Sequence, residues 1–192
     1  HRGPDGEGHY TDGPVGLGHR RLAIIDLSPA GNQPMANETG SVVITYNGEI
    51  YNFLELRKVL KKRGYKFKGS SDTEVILAAI NEWGLVKAVQ SFDGMFSFAL
   101  WDKAEKSLHL CRDRIGEKPL YYSPISDTEI VFASEIKSLV KFSELEVELN
   151  PQAIWDFPTF LWIPEPATIY KNIKALMPGN ILVVNNSGFR IN

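Results

Sequence analysis

The stretch TYNGEIYN, Thr45 to Asn52, joins a strand-like run to a helix-like one, and most of the fold is read outward from it. On its N-terminal side Val42 to Tyr46, VVITY, is strongly β-branched and predicts a strand. On its C-terminal side Asn52 to Arg63 places Phe53, Leu56, Val59 and Leu60 at helical spacing. Asn52 with Glu55 three residues on opens that helix as a capping box, and Gly64 closes it. Between the two lies Asn47-Gly48. Taken alone, this dipeptide is the strongest short-range signal for a hairpin turn.

The same rules extend along the chain. A second helix is predicted from about Asp72 to Trp83, capped by Ser71 with Glu74, apolar at Val75, Ile76, Ala79 and Ile80, and ended by Gly84. The first forty residues are rich in Gly and Pro around the apolar stretch Leu22 to Leu27, which points to turns and short strands. Met95 to Trp101 and Leu108 to Cys111 flank the polar DKAEKS and read as a hairpin. Leu120 to Tyr122 and Ile130 to Ala133, joined by SPISDTE, are further strands. Short helices are expected at Glu135 to Lys141 and after Asn150, where Pro151 suits a first turn. Strands are expected again at Thr168 to Ile173 and Asn180 to Val184. No repeat, low-complexity tract or linker divides residues 1–192, so the prediction is one α+β domain of helices beside largely antiparallel strands.

Composition sets outer limits. The 192 residues are 43% hydrophobic and 23% charged, as a folded globular protein requires. Lys plus Arg number 21 against 23 Asp plus Glu, a formal net charge of −2, with no basic stripe to neutralise phosphates, so no nucleic-acid partner is expected. No apolar run reaches the roughly 18 residues of a membrane helix, and HRGPDGEGHY has no signal-peptide core, so the chain reads as cytoplasmic, without membrane contact. Cys111 is the single cysteine, which excludes an internal disulfide. The glycosylation sequons at Asn37 and Asn185 are read as chance in a chain of this kind. A turn-rich HRGPDG without an initiator Met is a strange opening for a domain, and the chain is read as truncated at its N-terminus.

Few isolated residues carry a chemical signal. None of the four histidines has metal-ligand spacing, so no metal site is expected. His109 and Cys111 share a strand face, but a small buried Cys with a His packed beside it is the commoner arrangement. Gly16 and Gly18 begin a dinucleotide-like loop that position 21 breaks with Arg.

Five motifs taken in order say more. With TYNGEIYN they are GHRRLAIIDL (Gly18 to Leu27), GSSDTEVIL (Gly69 to Leu77), DGMFSFALWD (Asp93 to Asp102) and RDRIGEKPLYY (Arg112 to Tyr122), with GNQP at Gly31 to Pro34. In this order they resemble the glutaminase half of glutamine-hydrolysing asparagine synthetases, class II glutamine amidotransferases of the N-terminal nucleophile hydrolase fold. The resemblance covers essentially the whole chain. It implies a four-layer sandwich of two antiparallel sheets flanked by helices, incomplete at the N-terminus. It also implies L-glutamine as substrate, gripped by both of its charges. Arg21 would take the α-carboxylate, Asp72 the α-ammonium, and Glu49 would add a second anionic contact. Asn47, by its side-chain amide, and Gly48, by its backbone N–H, would form the oxyanion hole. Leu22, Ala23, Ile24 and Ile25 would contribute main-chain contacts, their side chains lying in the core. No cofactor or metal is implied in this domain. ATP and Mg2+ belong to a covalently linked synthetase domain expected downstream, where ammonia serves asparagine biosynthesis, and a homodimer is compatible with the pattern. Two alternatives stay open: an amidotransferase with a different acceptor, and a non-catalytic glutamine-binding relative.

In the family the nucleophile is a cysteine at the processed N-terminus, whose α-amino group, of pKa about 7.7 to 8.0, serves as its base. HRGPDG matches a segment a few dozen residues after it, and neither His1 nor Cys111 occupies its place. The chain alone is therefore expected to release no ammonia from glutamine. Stoichiometric ammonia production in a coupled assay would overturn this.

Overall fold

The computed structural model describes residues 2–192. They fall into two compact units, the first ending at Leu108 and the second starting at His109.

The first unit opens with a hairpin of β1 (Gly6–Asp12) and β2 (Val15–Arg21), in register from Gly6 opposite Arg21 to Asp12 opposite Val15. After a single 3-10 turn at Pro29–Gly31 come β3 (Met35–Ala36), β4 (Val42–Ile50), α1 (Phe53–Lys62), α2 (Asp72–Trp83), α3 (Leu85–Ser91) and β5 (Gly94–Asp102). β4 pairs antiparallel with β3 on one side and with β5 on the other. Every residue of β5 from Phe96 to Trp101 is buried. Successive strand residues face opposite ways, so both faces of this strand are covered. The Phe92, Phe96 and Phe98 rings form an edge-to-face and then a stacked contact, with centroids 5.9 Å apart in each pair.

The expected strand at Val42 to Tyr46 does not stop at Asn47-Gly48. It continues to Ile50, with Asn47 opposite Ser97 and Gly48 opposite Phe96 inside the ladder. The dipeptide is therefore no hairpin turn, and its glycine answers to close backbone approach instead. A Cβ at Gly48 would stand 2.1 Å from the Met95 carbonyl oxygen, and its φ of +151° is one that side-chain-bearing residues avoid.

The helices follow the spacing with local corrections. α2 keeps its predicted apolar face and is buried almost all round, since Asp72, Thr73 and Leu77 are inside as well. The Ser71 hydroxyl accepts from the Glu74 N–H, while the Glu74 carboxylate turns to the N–H groups of Lys68 and Gly69, leaving the capping box half made. At α1 the box is not made at all. The Asn52 side chain bonds Ser91 O and Asp93 N, tying the helix start to the end of α3. Val59, expected on the buried face, is exposed, and Leu60 alone of α1 is fully inside. Helix α3 carried no capping signal of its own.

β6 (Ser107–Arg112) contains the division between the units. The second unit then holds β7 (Tyr121–Pro124), β8 (Ile130–Ala133), α4 (Ile136–Leu139), α5 (Pro151–Phe160), β9 (Lys174–Ala175), β10 (Ile181–Asn185) and β11 (Gly188–Ile191). β8, β7 and β9 make one antiparallel sheet, and β10 pairs antiparallel with β11. Leu139, Leu145 and Ile173 form a buried cluster here. Asn150 caps α5 by accepting from Ala153 N–H, with Pro151 in the first turn as expected. The expected strand at Thr168 to Ile173 is not one. Thr168 Oγ1 donates to the carbonyls of Tyr170 and Ile173 and accepts from Tyr170 N–H, which folds the segment on itself and leaves only a bridge from Tyr170 to Leu149.

Both units are α+β with antiparallel strands. Among the described residues no helix is long and apolar enough to cross a membrane.

A Cβ at Gly94 would lie 2.2 Å from the Glu49 carbonyl oxygen, against backbone that cannot step aside, whereas one at Gly16 meets nothing within 4 Å. Gly94→Ala is expected to cost about 1–3 kcal/mol or more by overpacking, and Gly16→Ala less than about 0.5 kcal/mol. Urea unfolding of both variants checks the contrast; equal midpoints would refute it.

Candidate functional site

Arg21 is the last residue of β2, and its side chain is 91% buried by the loop that follows. Its Nη1 donates to Ser28 O at 2.9 Å and to Asn32 Oδ1 at 2.7 Å, and its Nη2 donates to Asp26 O. Three of the five guanidinium N–H groups are thereby used, leaving Nε–H and one Nη2–H. All three acceptors are neutral. Among the described residues no carboxylate pairs with Arg21. The carboxylate of Asp26 points elsewhere, accepting from Ser28 Oγ at 2.6 Å, Ser28 N at 2.8 Å and Ser70 N at 2.6 Å. Those bonds, the Ser28 hydroxyl first, hold Asp26 well below the usual carboxylate range.

Asp72 is the first residue of α2 and is 95% buried. Its Oδ2 accepts from Tyr46 Oη at 2.7 Å and from Ile50 N at 3.0 Å. Burial raises its pKa, with these hydrogen bonds acting against the rise, and no cation pairs with it among the described residues. Tyr46 is pushed up in turn, first by burial and then by the Asp72 charge. Gln33 fastens the same region: its Oε1 accepts from Tyr46 N at 2.6 Å, and its Nε2 donates to Thr73 Oγ1 at 3.3 Å. The loop after Arg21, strand β4 and the start of α2 are thus tied together. The Ser70 to Asp26 bond closes the ring two residues before Asp72.

Asn47 is exposed, and among the described residues its amide has no hydrogen-bond partner. By strand alternation it leaves β4 on the face opposite Tyr46, the face it shares with Thr45 and Glu49. That face meets β2: His19 Nδ1 lies 3.3 Å from Thr45 Oγ1, which donates to Gly18 O. Burial, and after it the Arg21 charge, lower the His19 pKa. Glu49 is half-buried, and among the described residues no cation pairs with its carboxylate. The candidate residues therefore stand on three neighbouring elements of one unit. Arg21 and Asn47 are linked through β2 and β4, and Asp72 is fastened to the other side of β4 by Tyr46 and to its end by Ile50. Two cavities, of about 230 and 270 Å3, lie in the second unit and are lined by none of these residues.

The segment Leu22 to Ile25 departs from expectation. Leu22 is 62% and Ile24 68% exposed, so their side chains are not core; Ala23 and Ile25 are half-buried. The chain leaves the sheet at Arg21 to wrap its guanidinium, and the segment is held by its backbone, with Ala23 N donating to the Asp5 carboxylate at 2.8 Å. Cys111 is fully buried, and burial pushes its thiol up, so it is no nucleophile. Arg112 and Asp113 open a motif that does structural work. Arg112 is buried in a two-pronged ion pair with Glu165, at 2.9 and 3.0 Å, and Asp113 accepts from the N–H groups of Ile115, Gly116, Glu117 and Lys118.

Spacing and motif order alone do not single out Asn32, Gln33, Tyr46 or Asp26. The signal was available in part. GNQP follows Arg21 by ten residues, and its two amide side chains are the kind that satisfy buried donors without adding charge.

The family model of the glutamine amidotransferase domain matches residues 1–192. Asparagine synthetase [glutamine-hydrolyzing] 1 of Bacillus subtilis is 41% identical over 98% of this chain and 29% of its own length. Amidase chyE of Penicillium rubens is 37% identical over 95% of the chain and 26% of its own. The chain thus spans less than a third of these curated relatives. Among solved structures, glutamine phosphoribosylpyrophosphate amidotransferase from B. subtilis aligns with a TM-score of 0.64 and 20% identity over 92% of this chain and 34% of that one. This last likeness is one of fold.

Because the folded-state pKa of Asp72 lies above its ordinary 3.8, native protein retains a proton that unfolded chain has released between the two values. Stability of the wild type should fall, relative to Asp72→Asn, as pH rises through that window, and the difference should be flat above it. Denaturant titrations from pH 3.5 to 8 measure this; a constant difference throughout would refute the assignment.

Proposed function

As the chain belongs to the glutamine amidotransferase domain family, we propose that it is the glutamine-binding part of a glutaminase that converts L-glutamine and water to glutamate and ammonia. In this reading Arg21 binds the α-carboxylate through its two remaining N–H donors. Asp72 receives the α-ammonium, Glu49 adds a second anionic contact, and the backbone of Leu22 to Ile25 runs along the substrate. The Asn47 amide and the Gly48 N–H stabilise the oxyanion formed as a thiolate attacks the side-chain amide carbon. Ammonia leaves, a thioester remains on the cysteine, and water releases glutamate from it. Cys111 does not supply that thiolate, so the reading assigns the nucleophile to a cysteine outside residues 1–192. The ammonia then feeds ATP- and Mg2+-dependent synthesis of asparagine from aspartate in a linked synthetase domain, in the cytoplasm. A second reading, in which asparagine is not the product, draws on relatives named amidases at 37% identity.

One observation carries the proposal: a buried guanidinium and a buried carboxylate, each held by neutral partners alone among the described residues. Burying a charge without a counter-charge costs several kcal/mol, of the order described for uncompensated buried ions. A ligand bearing both opposite charges removes both costs, and a free α-amino acid is such a ligand.

Titration calorimetry of the chain with L-glutamine should give saturable binding. Arg21→Gln and Asp72→Asn should each weaken it about tenfold or more, the scale of a lost hydrogen bond to a charged group. Absence of binding by folded wild type, or unchanged affinity in both variants, would sink the reading.

A further inference from the structure

We propose that Asn32 is a specificity-determining residue for the carboxylate end of the ligand: it orients the Arg21 guanidinium without neutralising it. The inference rests on the assignment of Arg21 to an α-carboxylate and adds what keeps Arg21 available for one.

The geometry around Arg21 is built from oxygens that carry no charge. Both hydrogens of Nη1 are taken, by Ser28 O and by Asn32 Oδ1 at 2.7 Å, so that end of the guanidinium is fixed. Nη2 is fixed by Asp26 O. Of the acceptors, Asn32 alone is a side chain, and so the only one a mutation can change in charge. Its isostere Asp would fit the same place and accept the same hydrogen bond. It would also set a full negative charge against a cation shielded from water, where such pairs are strongest.

Two further features point the same way. Asp26 is the one acid between Leu22 and Asn32, and although its backbone oxygen touches Arg21, its carboxylate is held off by three donors from Ser28 and Ser70. The loop thus uses an acidic residue beside a cation while keeping its charge away. At Gly31 a Cβ would lie 2.4 Å from Arg21 Nη2, so the cradle closes on the guanidinium only because position 31 has no side chain. The charge left on Arg21 is felt at His19, whose protonation it opposes after burial has done so. An uncompensated cation with two unused donors on different nitrogens is what a bidentate carboxylate requires.

A merely structural Asn32 and a charge-selecting one predict opposite orders. If only the hydrogen bond mattered, Asn32→Asp would preserve it and bind glutamine better than Asn32→Ala. If neutrality matters, Asn32→Asp is the worse of the two, because its new carboxylate competes with the ligand. We expect Asn32→Asp to weaken L-glutamine binding about tenfold or more, and Asn32→Ala by only about threefold, the smaller loss of one neutral acceptor. Calorimetry on the full chain, with circular dichroism and thermal unfolding to confirm that each variant is folded, gives the order. Wild type that binds, together with an Asn32→Asp affinity within threefold of it or above that of Asn32→Ala, overturns the inference and leaves the glutaminase reading standing. Folded wild type that does not bind glutamine overturns both.

Discussion

A guanidinium taken out of water must have its N–H groups met by oxygens, and at Arg21 those oxygens are neutral. This requirement shapes the chain for a dozen residues beyond β2. The backbone abandons the sheet to bring the carbonyls of Asp26 and Ser28 round the side chain, Asn32 completes the set, and Gly31 gives the space. The cost is visible on the outside. Leu22, Ile24 and Leu27 of this loop are left largely in solvent.

The same loop places the opposite charge. Asp26 accepts from Ser70 N, and Gln33 joins Tyr46 of β4 to Thr73 of α2, so the N-terminus of α2 is anchored by the segment that cradles Arg21. α2 is buried on nearly every side, which makes Asp72 a rigidly held group. Its carboxylate gains from the helix N-terminus and from two hydrogen bonds, yet burial still raises its pKa. Such a site is stable only at the expense of the fold.

Arg112 makes the contrast plain. It is as buried as Arg21 and donates to the carbonyls of Gly116, Lys118 and Leu176, but its charge is met by Glu165, and Asp113 beside it is saturated by four backbone N–H groups. Nothing remains there for a ligand. The two arginines end strand sequences LGHRR and LHLCR and differ in their partners, because one loop returns a carboxylate to its arginine and the other does not.

Much of the chain was legible in advance for local reasons. The β-branched run at Val42, the 3.6-residue spacing of α2 with its Ser71 cap, and the Gly stops at 64 and 84 are short-range physics, and those elements stand where the residues predict them. Motif order carried the family and drew attention to Arg21, Asn47 and Asp72. What tertiary structure alone decided were the partners. Asn47-Gly48 lies in a strand because β5 passes within Cβ distance of it. Thr168 to Ile173 is no strand because one hydroxyl folds it back, and Asn52 caps nothing because Ser91 and Asp93 claim its amide. A hydrogen bond or a missing counter-charge between residues tens of positions apart leaves no trace in local spacing, and it is there that Arg21 and Asp72 differ from ordinary buried charges.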